Sequence, residues 1–330
     1  MTSPMPADTS GKLRILFCGT PSFAVPSLQH LLAQPDLAIA AVITQPDRPR
    51  GRGHEVSYSP VKEIALDANL PVFQPEKIRT LESEQFLRDA NADAIVIIAY
   101  GQIIPARMLN IPRLGWINLH ASLLPKYRGA APIQWAIANG ESVTGVTSMR
   151  IDAGMDTGDT LLQRETPIGP AETTPQLAER LAQLGAPLMA ETLRGLRDGT
   201  LRAKPQNHSS ATTAPLLKKE DGLIDWSKPS PVIYNRMRGF SPWPGAYSRF
   251  RGTICHLSGS PYDSVRGSTD PTVHQPSVPG AILYDGKHLR VSCGQQSLLG
   301  ITRVKLEGRK AVSAADFANG AHVRPGEQFS

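Results

Sequence analysis

Unbroken apolar runs alternate with helically spaced segments through the first two hundred residues. Leu13–Cys18 (LRILFC), Leu37–Ile43 (LAIAAVI) and Ala94–Ala99 (AIVIIA) are nearly continuous aliphatic stretches, the texture of strands buried on both faces of a parallel sheet. Between and beyond them, Ser22–Ala33, Pro60–Ala68, Thr80–Ala90, Ala131–Ala138 and the long Thr174–Asp198 have the spacing of helices. Trp116–His120, Val143–Ile151 and Leu161–Ile168 read as further strands. A βαβ alternation of this kind predicts a doubly wound parallel α/β sheet. The texture changes at Lys204–Pro215, which is polar, rich in Ser, Thr, Ala and Pro, and reads as a linker. Past it lie short β-favouring runs at Gly222–Trp226, Ala246–Phe250, Thr253–Leu257, Gly280–Leu283, Leu289–Ser292 and Ser297–Lys305, with one helix, Pro231–Gly239. That pattern suits a small barrel of the oligonucleotide-binding type. Ser258–Pro279 reads as a mobile surface loop. The expected organisation is a disordered lead-in over 1–11, an α/β domain over 12–203, a linker over 204–215 and a β-barrel over 216–330.

Where polar side chains break the apolar strands, chemistry becomes possible. Asn118 and His120 interrupt Trp116–His120 two residues apart, and alternate strand residues project to one side of a sheet. The loop Ala121-Ser122-Leu123-Leu124-Pro125 follows, then Lys126, Tyr127, Arg128 and Gly129. An amide and an imidazole beside such a loop suit a site handling a carbonyl and a proton; a His and an Asn that merely tie down a loop fit the same residues. Ligands in open α/β sheets sit outside the carboxyl ends of the strands. Tyr100, His120 and Asp156 all fall at or just past such ends. A carboxylate beside an imidazole orients it and stabilises its positive charge, and an Asn amide and a His can both donate to an oxyanion. Asp156 can take a proton from an attacking amine, although Asp152, Asp156 and Asp159 also fit a turn of caps and surface charge. The first turn offers Gly19 alone, without the three spaced glycines of a dinucleotide site. No G-x-S-x-G elbow supplies a nucleophile. Direct acyl transfer between two bound substrates is the reaction these residues suggest. No His or Cys neighbours accompany the aspartates, so no metal site is expected.

Charge separates the two halves. Residues 1–200 carry 18 Lys and Arg against 20 Asp and Glu; residues 201–330 carry 17 against 9, a net of +8 within an overall +6. A basic C-terminal third suggests a polyanionic partner. Thr44–Ser59 adds Arg48, Arg50 and Arg52 in a polar loop without helical or strand period. Arg128, Arg236 and Arg238 are candidate phosphate contacts, or solvating charges. Trp243, between two prolines in Ser241–Gly245, reads as a buried structural aromatic. Three scattered cysteines fit a reducing cytoplasm. No apolar run reaches the ~18 residues of a membrane span, and the N-terminus has no secretory signal pattern.

Six motifs carry a resemblance that covers nearly the whole chain: FCGTPSFAVPSL (Phe17–Leu28), TQPDRPRGRG (Thr44–Gly53), INLHASLLPKYRGAAPIQWAI (Ile117–Ile137), DAGMDTGD (Asp152–Asp159), DGLIDW (Asp221–Trp226) and RMRGFSPWPGA (Arg236–Ala246). The chain resembles the formyltetrahydrofolate-dependent transferases, and among them the methionyl-tRNA formyltransferase family. The resemblance implies a Rossmann-like domain followed by the barrel. It implies transfer of the formyl group of 10-formyltetrahydrofolate to the amine of methionyl initiator tRNA, in the cytoplasm, by a monomer. On the matching positions Asn118, His120 and Asp156 are the implied catalytic trio. Ser122, Leu123, Leu124 and Pro125, with the backbone around Tyr100, are the implied folate wall. Arg52 matches the arginine set against the tRNA acceptor end, with Arg48, Arg50, Arg236 and Arg238 as further tRNA contacts. His54 and Glu55 stand where many relatives have lysines, which leaves more of the loop's role to Arg52. Formyl transfer to a small amine, such as a nucleotide sugar, and an RNA-binding protein with an inert α/β scaffold are the rival readings.

Overall fold

The aliphatic runs form the middle of a seven-stranded sheet in a computed structural model that describes residues 11–50, 55–261 and 278–330. In chain order the elements are β1 (Leu13–Gly19), α1 (Val25–Leu32), β2 (Leu37–Ile43), β3 (Arg48–Arg50), β4 (Glu55–Ser57), α2 (Pro60–Asp67), β5 (Val72–Phe73), α3 (Leu81–Asp89), β6 (Ala94–Ile98), α4 (Ala106–Leu109), β7 (Trp116–His120), α5 (Pro132–Ala138), β8 (Val143–Arg150), β9 (Thr160–Pro167) and α6 (Thr174–Arg197). There follow α7 (Ser230–Gly239), β10 (Tyr247–Phe250), β11 (Thr253–Pro261), β12 (Ile282–Tyr284), β13 (Leu289–Cys293), β14 (Ser297–Leu306), β15 (Val312–Ser313) and α8 (Ala314–Gly320). The first compact unit takes the described residues up to Pro132, Val143–Pro167 and Ala178–Ala214; the second takes Ile133–Ser142, Ile168–Leu177 and Pro215–Ser330.

In the first unit the strand order is β5-β2-β1-β6-β7-β8-β9. Pairing is parallel from β5 to β7 and antiparallel from β7 through β9. The Rossmann-like sheet is therefore parallel-dominated, with an antiparallel edge that hydrophobic runs alone do not reveal. Every residue of β6 is buried, as are all but Arg14 of β1, which accounts for their lack of alternation. The carboxyl ends of β1, β2 and β6 are tied at one carbonyl. Gln45 Nε2 donates to Tyr100 O at 3.0 Å, and Thr20 Oγ1 donates to it at 3.4 Å. The polar stretch Thr44–Ser59 is not wholly irregular: β3 and β4 pair antiparallel, Arg48 opposite Ser57. A two-stranded ribbon outside the main sheet needs no buried face, so periodicity gives no sign of it.

In the second unit six strands form a curled antiparallel sheet of the oligonucleotide-binding kind, ordered β10-β11-β14-β13-β12 with β15 on β14. A bulge between Ser258 and Gly259 bends β11 across β14. Trp226, Phe250, Phe317 and Phe329 pack at its centre, Trp226 and Phe329 stacked at 5.9 Å. Three expectations change here, and two stretches lie outside the described residues. Gly222–Trp226 is not a strand: Lys219–Gly222 is a 3-10 turn, and only Leu223 makes a bridge, to Tyr247. Trp226 is instead fixed by packing and by its Nε1–H on Ser248 Oγ at 3.0 Å. β11 extends to Pro261, into the stretch read as loop, and residues 262–277 lie outside the described residues. So do residues 1–10 of the expected lead-in. Trp243 is 56% exposed rather than buried, while Phe240, three residues earlier, is buried.

An acid-sensitive clasp closes the C-terminal end of this unit. Arg251 donates to both carboxylate oxygens of Glu327, at 2.7 and 2.9 Å. Those bonds, with one from Arg324 N, hold the Glu327 carboxyl down at about 2 against an ordinary 4.5. A carboxyl depressed on folding contributes stability above its unfolded pKa and loses that contribution as pH falls through its folded one. Glu327→Gln should therefore lower Tm at pH 7, and the gap from wild type should narrow between pH 4.5 and about 2. Calorimetric melts across that range check it; a gap constant with pH would assign the effect to packing.

Candidate active site

β7 places Asn118 beside Ile97 of β6 and Met149 of β8, and His120 beside Thr147 of β8. Alternation aims both polar side chains to one side. His120 is 6% exposed. Its Nε2 lies 2.8 Å from Tyr127 O; a carbonyl only accepts, so Nε2 carries the hydrogen. Nδ1 is the ring nitrogen left for chemistry, and it faces Asp156 Oδ2 at 3.6 Å. That separation is too long for a hydrogen bond and within ion-pair range of a protonated ring. The Asn118 side chain makes no hydrogen bond among the described residues, so both its N–H groups are available to a ligand.

The Asp156 loop is shaped by its own sequence. Asp152 Oδ1 accepts from Gly154 N at 3.0 Å and Thr157 Oγ1 at 2.7 Å. Asp156 itself sits at φ +52°, a left-handed conformation that Asp tolerates better than most residues. Its Oδ2 accepts from Gly129 N at 2.8 Å. Gly129 is at φ +117°, and a Cβ there would lie 2.7 Å from Ala214 O, so this turn requires glycine. Asp156, His120 and Gly129 thus meet from three separate stretches of chain.

The adjoining loop is locked by one hydroxyl. Thr147 Oγ1 donates to Ser122 O at 2.6 Å and accepts from Leu124 N at 3.2 Å and Gln163 Nε2 at 3.0 Å. Ser122 is fully buried and donates to Lys126 O at 2.6 Å; Leu124 is buried, while Leu123 and Pro125 are half-exposed. Ser122 and Leu124 therefore shape the loop, and Leu123 and Pro125 offer the apolar surface a flat ligand would touch. Tyr100 contributes backbone: its ring lies in the core, and its hydroxyl has no hydrogen-bond partner among the described residues. Burial, with Cys18 nearby, pushes that phenol well above its ordinary range. Among the described residues no group of His, Cys, Asp or Glu is placed to hold a metal ion, and no helix is long and apolar enough to cross a membrane.

Residues 12–193 match the family described as formyl transferase, and residues 216–322 match its C-terminal domain. The chain belongs to the formyl transferase family. It is 52% identical over 317 residues to a protein of Solibacter usitatus named methionyl-tRNA formyltransferase, covering 96% of this chain and 98% of that one. A Koribacter versatilis protein of the same name is 52% identical over 93% of this chain and 95% of its own. Among solved structures, a sugar 3N-formyl transferase bound to dTDP and 5-N-formyl-THF superposes with a TM-score of 0.61 at 18% identity, over 90% of this chain and 99% of that one. An N-formyltransferase of Helicobacter canadensis, with folinic acid and dTDP-3-aminofucose, gives 0.61 at 20% identity over 88% and 98%. At those identities the two structures speak for the fold.

The arginines expected to meet tRNA are placed less uniformly than the family motif implies. Arg52 lies outside the described residues, as does the Arg50 side chain; Arg48 is exposed and pairs with Glu76 at 3.6 Å. Arg238 is a correction. It is 7% exposed, and its guanidinium donates to the carbonyls of Gly169 and Glu172 and to Asn235 Oδ1, with burial lowering its pKa. It therefore serves the interior of the second unit, because α7 turns that face inward. Arg236 is half-buried against Phe240, 4.9 Å from the ring centroid, and donates to Asp221 O.

Three residues at the site were not singled out from sequence: Thr147, Gln163 and Gln206. Their types carry no motif, and a strand Thr that satisfies a loop is visible only once the loop is folded. Thr147→Val keeps the shape but strips Leu124 N and Ser122 O of their partner. Leaving such buried groups unpaired costs about 1–3 kcal/mol. Urea unfolding should show that loss; a variant as stable as wild type would mean the loop holds itself.

Proposed function

We propose that this chain transfers the formyl group of 10-formyltetrahydrofolate to the α-amine of methionyl initiator tRNA, giving N-formylmethionyl-tRNA for translation initiation. The observation that carries it is half-identity to the named Solibacter usitatus protein along both domains, the basic C-terminal one included. The local geometry accords with it: an imidazole and a carboxylate face each other at the end of β7, and an amide unpartnered among the described residues stands two residues earlier on that strand.

The attacking amine must be neutral, and an α-amine with a pKa of ~7.7 or below keeps a reactive neutral fraction at pH 7. It attacks the formyl carbon directly, forming the new C–N bond. Asn118 donates an amide N–H to the oxygen as negative charge gathers there. His120 donates from Nδ1, which demands the imidazolium form because Nε2–H stays on Tyr127 O; Asp156 stabilises that charge across 3.6 Å. Asp156, directly or through a water, accepts the proton the new ammonium sheds and passes it to N10 of the folate as the C–N10 bond breaks. Both residues end as they began. Leu123 and Pro125 line the folate side, with the Tyr100 carbonyl region beside them. Holding two substrates in attack geometry supplies much of the rate, and the chemistry asks for no metal.

In this reading Arg52, Arg48 and Arg50 meet the acceptor end of the tRNA, and the second unit meets its phosphates. There a cavity of about 410 Å³ is bordered by Lys305, His256 and the loop that carries the exposed Trp243. Burial, and after it the nearby Lys305 and Lys219, lower the His256 pKa. The enzyme acts as a monomer in the cytoplasm, where initiation takes place. Incubation with 10-formyltetrahydrofolate and charged initiator or elongator methionyl-tRNA should yield formyl-methionine, and the rate should fall as salt rises. Formylation of a nucleotide-linked amino sugar in preference to charged tRNA would overturn the reading.

A further inference from the structure

We propose that Gln206 is a positioning residue for this reaction, bracing the Asp156 loop against the Tyr127–Gly129 loop and so setting the separation between Asp156 and His120. The inference rests on the functional reading above for its reaction, and on geometry for its substance.

Gln206 is 7% exposed. Its Nε2 donates to Asp156 O at 2.9 Å and Gly158 O at 2.7 Å. Its Oε1 accepts from Arg128 Nε at 3.1 Å and Arg128 Nη2 at 2.7 Å. Both hydrogens and both lone pairs of one amide are therefore used, two on each loop. The chain that follows continues the bracing. Thr212 Oγ1 accepts from Tyr127 N at 2.9 Å and Thr212 O from Arg128 N at 2.8 Å, and Ala214 N donates to Arg128 O at 2.7 Å. Ala214 O accepts from Ala131 N at 3.1 Å. Lys204–Pro215, which composition marks as a linker, is thus laced to the loop whose Tyr127 carbonyl anchors His120 Nε2.

Two strained positions depend on that lacing. Tyr127 is at φ +60° and Asp156 at φ +52°, and such conformations persist where the surroundings over-determine them. The 3.6 Å between Asp156 Oδ2 and His120 Nδ1 is not itself a hydrogen bond. It is set by what holds each loop, and Gln206 is a side chain that grips both. Backbone partners are the right choice here, because they fix the loop while leaving the Asp156 carboxylate to its work.

Gln206→Glu separates the two grips. The new carboxylate still accepts from Arg128, but it sets oxygen against the Asp156 and Gly158 carbonyls where the amide donated. Gln206→Leu removes both grips, and Arg128→Met removes one. With 10-formyltetrahydrofolate and charged initiator tRNA, kcat of Gln206→Glu should fall by about 10²-fold, the cost of a misplaced catalytic group. The KM for tRNA and the Kd for folate should stay within about twofold. Arg128→Met should fall less, and the kcat–pH profile of Gln206→Glu should be displaced from wild type. Spectra of ¹³C-labelled histidine, with His120 assigned by its Asn variant, should show the His120 titration moved in Gln206→Glu. A folded Gln206→Glu with wild-type kcat and an unmoved His120 titration overturns the proposal. So does a loss of folate binding and Tm in step with kcat across the variants, which marks a merely structural residue. If wild type itself formylates no tRNA, the functional reading fails, while the His120 spectra still decide the bracing.

Discussion

His120→Asn should lower the rate of formyl transfer by about 10²–10⁴-fold while the protein stays folded. The expectation follows from how the two ring nitrogens are used. Nε2 is committed to Tyr127 O at 2.8 Å, so all chemistry falls to Nδ1, which faces Asp156 at 3.6 Å. An Asn side chain offers an amide without a titratable nitrogen, and it is shorter than the imidazole. The oxyanion then loses its cationic donor and keeps only Asn118. His120→Ala is the less informative variant, because it also opens a void beside a residue 6% exposed. Single-turnover formylation, with folate binding and a thermal melt on the same preparation, separates the outcomes. A folded variant that binds folate and transfers formyl at the wild-type rate would remove His120 from the mechanism. A variant that fails to fold would favour the plainer reading of His120 as a loop tie.

How far the site was legible in sequence depends on what kind of signal each residue gives. Asn118 and His120 are polar side chains in an otherwise apolar strand, an anomaly that periodicity exposes directly, and β7 places them as alternation requires. The buried strands β1, β2 and β6 announce themselves by composition. Asp156 is legible only as a member of a turn; its pairing with His120 depends on Gly129 N, 27 residues away in sequence. Gln206 and Thr147 give no sequence signal, since an amide or a hydroxyl that satisfies distant carbonyls looks like any surface polar residue. The same logic explains the errors. Arg238 belongs to a basic run, so charge marks it for RNA, yet three of its donors end on Gly169 O, Glu172 O and Asn235 Oδ1. Trp243 is large and apolar, so size marks it for the core, yet it is 56% exposed while Phe240, three residues earlier, is buried.

Asp156→Asn should cost a comparable factor, about 10²–10⁴ in kcat, through charge alone. Asn tolerates the left-handed φ of +52° as Asp does, and its carbonyl oxygen can still accept from Gly129 N. The backbone grips of Gln206 on Asp156 O and Gly158 O do not involve the side chain. What disappears is the negative charge opposite Nδ1. With it go the stabilisation of imidazolium and the acceptor for the ammonium proton, so both proton transfers are hit at once. Asp156→Ala loses the Gly129 bond as well and places a poorly tolerant residue at positive φ, so it should cost stability in addition. The comparison therefore divides the residue's two functions. Asp156→Asn should melt close to wild type with kcat collapsed and the KM for tRNA little changed, whereas Asp156→Ala should melt lower. Equal kcat for Asp156→Asn and wild type would assign Asp156 to the turn and return the proton transfer to solvent.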